Sequence, residues 1–194
     1  VYPKDPVLTP STALVPLFDL DSSHTLSGRY VRVLDWGQPP GPWTPVRPPL
    51  FDVLPGHRAF DLISLYRNLT ETARLAVDAG LTITGDDPTT PPVVESSVGE
   101  YGGPLLTLGW YAPDGVPEGN AGYSPGFTLD VPYVDVLGVR RTVERVAQQP
   151  ALVFGAGDGI ESVDLQTDAD VAAHEIAHHF FEKIVDPVHI SHAP

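Results

Sequence analysis

The strongest periodic signal lies near the end of the chain. From Ala169 to about Val185 neither proline nor glycine intervenes, and Val171, Ile176, Ala177, Phe180 and Ile184 recur at helical spacing. Thr167 with Asp170 three residues on resembles a capping box with Asp in place of Glu, and Asp168 and Asp170 suit the positive end of a helix. Pro187 is the expected stop. A second helix is predicted from Phe60, where Phe60, Ile63, Leu65, Tyr66, Leu69, Ala73, Leu75, Ala76 and Val77 return at threes and fours and Gly80 supplies an end.

Elsewhere the pattern shortens to strands. Residues 13–20 and 26–34, joined by a turn at Asp21-Ser22-Ser23-His24, predict a β-hairpin. Leu105–Tyr111, Phe127–Val136 and Ala151–Phe154 are further strands, 114–126 a loop, and Val139–Gln149 a short helix ended by Pro150. Residues 1–16 are proline-rich and read as extended, and 84–104 as a polar connection rich in Gly and Pro. Residues 36–49 hold six prolines, so they predict a loop or arm that Trp36 and Trp43 pin to the body. The expected fold class is α+β: a mixed or antiparallel sheet packed on the C-terminal helix. Residues 1–50 form a hairpin and proline-rich arm, and 51–194 the main body.

Composition narrows the function classes. With 194 residues and 42% hydrophobic positions the chain can bury a sizeable core. Its net charge of −14 repels phosphate backbones and anionic lipid, which argues against nucleic acid and for cationic partners. No stretch is long and apolar enough for a membrane span. Cysteine is absent, which excludes a thiolate metal site and a cysteine nucleophile. The Val1-Tyr2-Pro3 start, without methionine, implies a chain that was processed or begins internally. No signal peptide is visible, and a matured chain would have lost one.

The chemistry sits in the last helix, at His174-Glu175-Ile176-Ala177-His178. Histidines at i and i+4 project from one helical face, one turn apart, and can converge on one zinc ion at about 2.0–2.1 Å. Glu175, a residue on, is rotated off that axis and suits a general base for a metal-activated water rather than a ligand. The remaining His24 and His57 read as isolated surface residues, and the glycosylation sequon Asn68-Leu69-Thr70, inside a predicted helix, as a chance match.

Residues 151–181 resemble the segment leading into the active-site helix of thermolysin-like and fungalysin-like zinc metallopeptidases, the gluzincins. The resemblance rests on a short strand, the turn Gly155-Ala156-Gly157-Asp158-Gly159, and Asp170-Val171 ahead of the HExxH run. Gly119-Asn120-Ala121-Gly122-Tyr123 is similar to the family's Asn-Ala-aromatic edge strand, although 30 residues separate Tyr123 from Phe154 where the family has few. The resemblance implies a secreted Zn2+-dependent endopeptidase acting on peptide or protein substrates, with the N-terminal lobe of a thermolysin-like enzyme as its fold. It implies His174 and His178 as ligands, Glu175 as base, Asp170 as a possible Ca2+ ligand, and Asn120 and Ala121 as binders of the substrate backbone.

The same resemblance implies a third ligand, a Glu on a second helix roughly two dozen residues after the first histidine, which lies past Pro194. A C-terminal continuation or a second chain is therefore expected to supply it, leaving residues 1–194 inert alone. Closer candidates are Glu182, Asp186, and His189 and His192, which fold back after Pro187 in this reading. A metzincin pattern is excluded, because Phe181 and Ile184 stand where it needs Gly and His. The rival reading is a non-catalytic secreted structural or interaction module that retains the HExxH helix.

Overall fold

The computed structural model describes residues 16–21, 25–36, 44–45, 53–55, 57–81, 104–112, 119–134, 140–155 and 165–189; for 44–45, 127–134, 140–149 and 183–189 it describes the backbone alone. The expectations for residues 1–15, His24, Trp43, 84–103, the turn after Gly155, and His192 lie outside these residues.

The described elements are β1 (Val31–Asp35), β2 (Thr44–Pro45), α1 (Arg58–Asp78), β3 (Leu105–Tyr111), β4 (Ala121–Val134), β5 (Arg140–Gly155) and α2 (Ala169–His189). This is an α+β arrangement with one mixed sheet, in the order β2-β1-β3-β5-β4. β1, β3 and β5 run parallel, while β2 and β4 are antiparallel to their neighbours and form the two edges. Parallel neighbours need a crossover, and α1 supplies it between β1 and β3.

The sheet separates two apolar layers by simple alternation. Val31, Val33, Leu105, Leu152 and Phe154 point into the larger layer, with Leu62, Leu65, Tyr66 and Leu69 of α1 and Ala172, Ile176 and Phe180 of α2. Leu106, Leu108 and Ala151 face the other side, where Leu34, Trp36, Tyr111 and Val153 cover them. β3 is buried along most of its length because it is the central strand. Each fully buried Leu or Ile contributes about 1.5–3 kcal/mol.

Local chemistry fixes both ends of α1. His57 is its N-cap, and its Nδ1 accepts the Ala59 N–H at 3.1 Å. At the other end Gly80 adopts φ 88°, which lets Gly80 N–H reach Val77 O and Leu81 N–H reach Ala76 O. That pair of bonds is a Schellman closure, and a Cβ at Gly80 would be strained by the backbone angle. Asn68 is 4% exposed and its amide faces Thr167 O at 3.5 Å, while Thr70 is also buried. The folded helix leaves no room for a glycan there.

Several sequence expectations need correction. The predicted hairpin over 13–20 and 26–34 reduces, among the described residues, to the isolated antiparallel bridge Leu20↔Gly28. Asp19 turns at φ 58°, and β1 spends its backbone groups on β2 and on a parallel partner, β3. The predicted loop 114–126 gives way to β4 from Ala121, and the predicted helix Val139–Gln149 is, from Arg140 onward, strand β5. Val139, Val143 and Val146 mimic a helical period, but β-branched side chains tolerate either state and antiparallel pairing to β4 decides. α2 continues through Pro187 to His189. In a last turn a proline removes a single hydrogen bond rather than breaking a ladder, so no fold-back occurs before His189. Trp36 is itself anchored: its Nε1 donates to Ala112 O at 3.0 Å, and its ring stands edge-on to Tyr111.

Candidate metal centre

The entry into α2 is clamped before any site residue appears. Asp168, not Thr167, is the N-cap: its Oδ1 accepts from Asp170 N–H at 2.8 Å and Val171 N–H at 3.3 Å. Just upstream the fully buried Gln166 accepts the backbone N–H of Trp110 through Oε1 at 3.1 Å. Trp110 sits at φ 58°, rare for a bulky residue, beside an irregularity in the β3–β5 pairing. Arg58 stacks over the Trp110 ring at 4.7 Å while its guanidinium forks onto the Asp35 carboxylate. β3 thus holds the strained turn that orients the start of α2.

From that start the helix divides cleanly. Ala172, Glu175, Ile176, His179 and Phe180 are buried, whereas Asp170, His174, Ala177, His178 and Phe181 are exposed. His174 and His178 therefore stack on the open face, with Nε2 atoms 3.1 Å apart and rings nearly perpendicular at 85°. Two nitrogens at zinc-ligand distance and a tetrahedral angle stand about 3.3 Å apart, so the pair already has the spacing of two ligands. Without a metal the same spacing suits an N–H···N hydrogen bond between two neutral imidazoles.

Glu175 lies at the border between the two faces, 8% exposed. A carboxylate so placed is next to the histidines but turned from the outermost face, as a base beside a ligand pair would be. Asp170 is an exposed carboxylate in the first turn, where it complements the helix dipole. Among the described residues no group of three His, Asp or Glu converges on a metal position. Glu182 turns elsewhere, to the hydroxyl of Tyr123. His189 belongs to α2, and its side chain, like that of Asp186, lies outside the described residues.

Residues 119–123 lead into β4, an edge strand among the described residues. Ala121 opens β4, pairing with Phe154, and the Asn120 carbonyl accepts Gly155 N–H at 2.9 Å. The long separation in sequence is absorbed by β4 and β5 themselves, which extend as paired strands to Val134 and Arg140. α2 meets β4 through His179 and Glu182, both of which contact the Tyr123 hydroxyl.

Two participants escape a motif-based reading, Gln166 and His179, as does the contact of Tyr123 with α2. His179 falls on the helical spacing of Ala172, Ile176 and Phe180, and a histidine on an apolar face signals a polar partner inside. Tyr123 shares its strand face with Ala121 by alternation.

The chain matches no protein-family model, no curated protein and no solved structure. No helix among the described residues is long and apolar enough to cross a membrane.

Proposed function

We propose that this chain is the sheet-bearing part of a zinc-dependent endopeptidase of the gluzincin type. The observation that carries the reading is the His174–His178 pair, with Nε2 atoms 3.1 Å apart on the exposed face of a capped helix. Glu175 between them and the antiparallel edge strand alongside add support, since the gluzincin resemblance leads to both.

A bound zinc would supply Lewis-acid activation of a water and of the scissile carbonyl. His174 and His178 would hold the ion through Nε2. Glu175 takes the proton of the attacking water and then returns it to the leaving amine nitrogen. The backbone of Ala121, on the open edge of β4, aligns an extended peptide beside the helix, while the Asn120 carbonyl is committed to Gly155 N–H. An anionic third ligand comes from residues other than those described.

The alternative, a binding module that keeps the helix without catalysis, draws on the lack of a third ligand among the described residues. Metal analysis with an assay separates the two. Full-length protein dialysed against micromolar zinc should retain one ion per chain, lose it in His178→Ala, and cleave a casein-type substrate until a chelator is added. Protein that stays metal-free overturns the peptidase reading, and stoichiometric zinc without any cleavage favours the module.

A further inference from the structure

Tyr123 is bonded to α2 through one oxygen. Its hydroxyl contacts the Glu182 Oε2 and lies 3.2 Å from His179 Nδ1, and its ring meets the His179 imidazole edge-on at 5.5 Å. His179 is fully buried, and Glu182 is partly so. Residues 179 and 182 are three apart, hence on one helical face, in the turn that follows His178. At the other end of the tyrosine, β4 is the edge of the sheet, and among the described residues Ala121–Ser124 pair with β5 on one side only.

The donors can be assigned from chemistry. A carboxylate only accepts, so the Tyr123 O–H donates to Glu182, and the phenol oxygen then accepts N–H from His179 Nδ1. That arrangement holds His179 as the Nδ1–H tautomer. It also does what the neighbouring apolar contacts cannot. Burial of Ile176 and Phe180 is non-directional and leaves a helix free to slide or turn slightly on its bed. Two directional bonds to one oxygen, from two positions on α2, fix both its height and its rotation against β4.

We propose that Tyr123 is a positioning residue that sets the gap between the open edge of β4 and the His174–His178 pair. The proposal rests on the peptidase reading above. It assigns to Tyr123, His179 and Glu182 the alignment of a bound peptide with the histidines, without any part in holding the ion. His174 and His178 share one helix, so their mutual spacing survives a small shift of that helix, whereas the distance from either to a peptide lying along β4 does not. A peptide that must reach both the strand edge and the histidines binds less tightly when that gap changes, which raises KM.

The test is Tyr123→Phe in the zinc-loaded full-length protein, with Glu182→Gln as a second variant that keeps the packing. We expect zinc affinity within about threefold of wild type, KM for a casein-derived peptide raised by about tenfold, and kcat changed less than about threefold. Nitrogen-detected NMR should show the Nδ1–H tautomer for His179 in wild type and a displaced Nδ1 resonance in Tyr123→Phe. A variant that merely lost stability would lower zinc content and turnover together and leave KM alone. An active wild type whose KM is unchanged by either substitution overturns the proposal, as does an Nε2–H tautomer at His179. Zinc-loaded wild type that cleaves no peptide overturns the peptidase reading instead.

Discussion

Trp110 gives its backbone N–H to the side-chain oxygen of Gln166, at 3.1 Å, from a left-handed backbone angle of 58°. One bond therefore both relieves a strained turn at the end of β3 and fixes the residue two places before the N-cap of α2. Gln166→Leu should cost about 1–3 kcal/mol, because it leaves a buried N–H without its acceptor. Urea denaturation measures that loss. If the clamp orients α2, zinc affinity of the folded variant falls as well; full stability in Gln166→Leu would show that water replaces the side chain.

Glu175→Gln keeps the shape of the border position and removes the carboxylate proposed as the base. Peptide hydrolysis should fall by about 10²–10⁴-fold with zinc content unchanged. Steady-state kinetics beside metal analysis reads both quantities. Unaltered turnover would place the base elsewhere.

Tyr66 makes stability depend on alkaline pH. Its hydroxyl donates to Phe18 O at 2.9 Å, and burial pushes its pKa up to about 12, with Asp19 and Asp21 adding to the rise and Thr70 opposing it. The unfolded chain ionises this phenol near 10 while the fold holds it neutral, so the folded state binds more protons and stability declines as pH rises. The contribution is complete below pH 10 and is lost progressively towards 12. Allowing for solvent screening it amounts to about 1–2 kcal/mol. Denaturation across that range should show a shallower decline in Tyr66→Phe than in wild type.

Gly28 tolerates no side chain. A Cβ there would overlap the Asp19 carbonyl oxygen, which is backbone, and the Tyr66 hydroxyl. Gly28→Ala should destabilise by about 1–3 kcal/mol through forced backbone movement. Thermal unfolding gives the shift directly, and a near-neutral result would mean that the 19–28 bridge yields easily.

A glycan at Asn68 is incompatible with α1, since the side chain is buried against the approach to α2. Passage through a glycosylating secretory pathway should yield folded protein with Asn68 bare, and mass spectrometry of that fraction checks it. Modified Asn68 in soluble, zinc-binding material would contradict the packing.

Both helices were legible because each carries an apolar stripe over many turns and local end signals: Gly80 for α1, an acidic cap for α2. β3 was legible end to end, since a central strand buried on both faces is apolar at nearly every position. β5 was not. Val143 and Val146 lie four and seven residues from Val139, a spacing that serves a helix as readily as a strand, and what chooses between them is the partner β4, remote information no local window contains. The i, i+4 histidines were legible for the opposite reason, because one helix fixes their spacing alone. Tyr123 and His179 meet across 56 residues, so nothing short of the sheet order could pair them.

The β4–β5 pairing has a kinetic consequence. β3 holds β5 only from Ala151 onward, yet β4 pairs with β5 back to Arg140, so over that stretch the two strands support each other alone among the described residues. A ribbon closed by so short a connection forms in about 1–10 μs, faster than the parallel pairing of β5 with β3, whose partners lie farther apart in sequence. Ala121–Ser124 are therefore aligned on β5 before β5 docks on β3. The strand that holds Tyr123 against α2 joins the sheet as half of a finished unit, and its alignment is inherited from a local event rather than searched for across the whole chain.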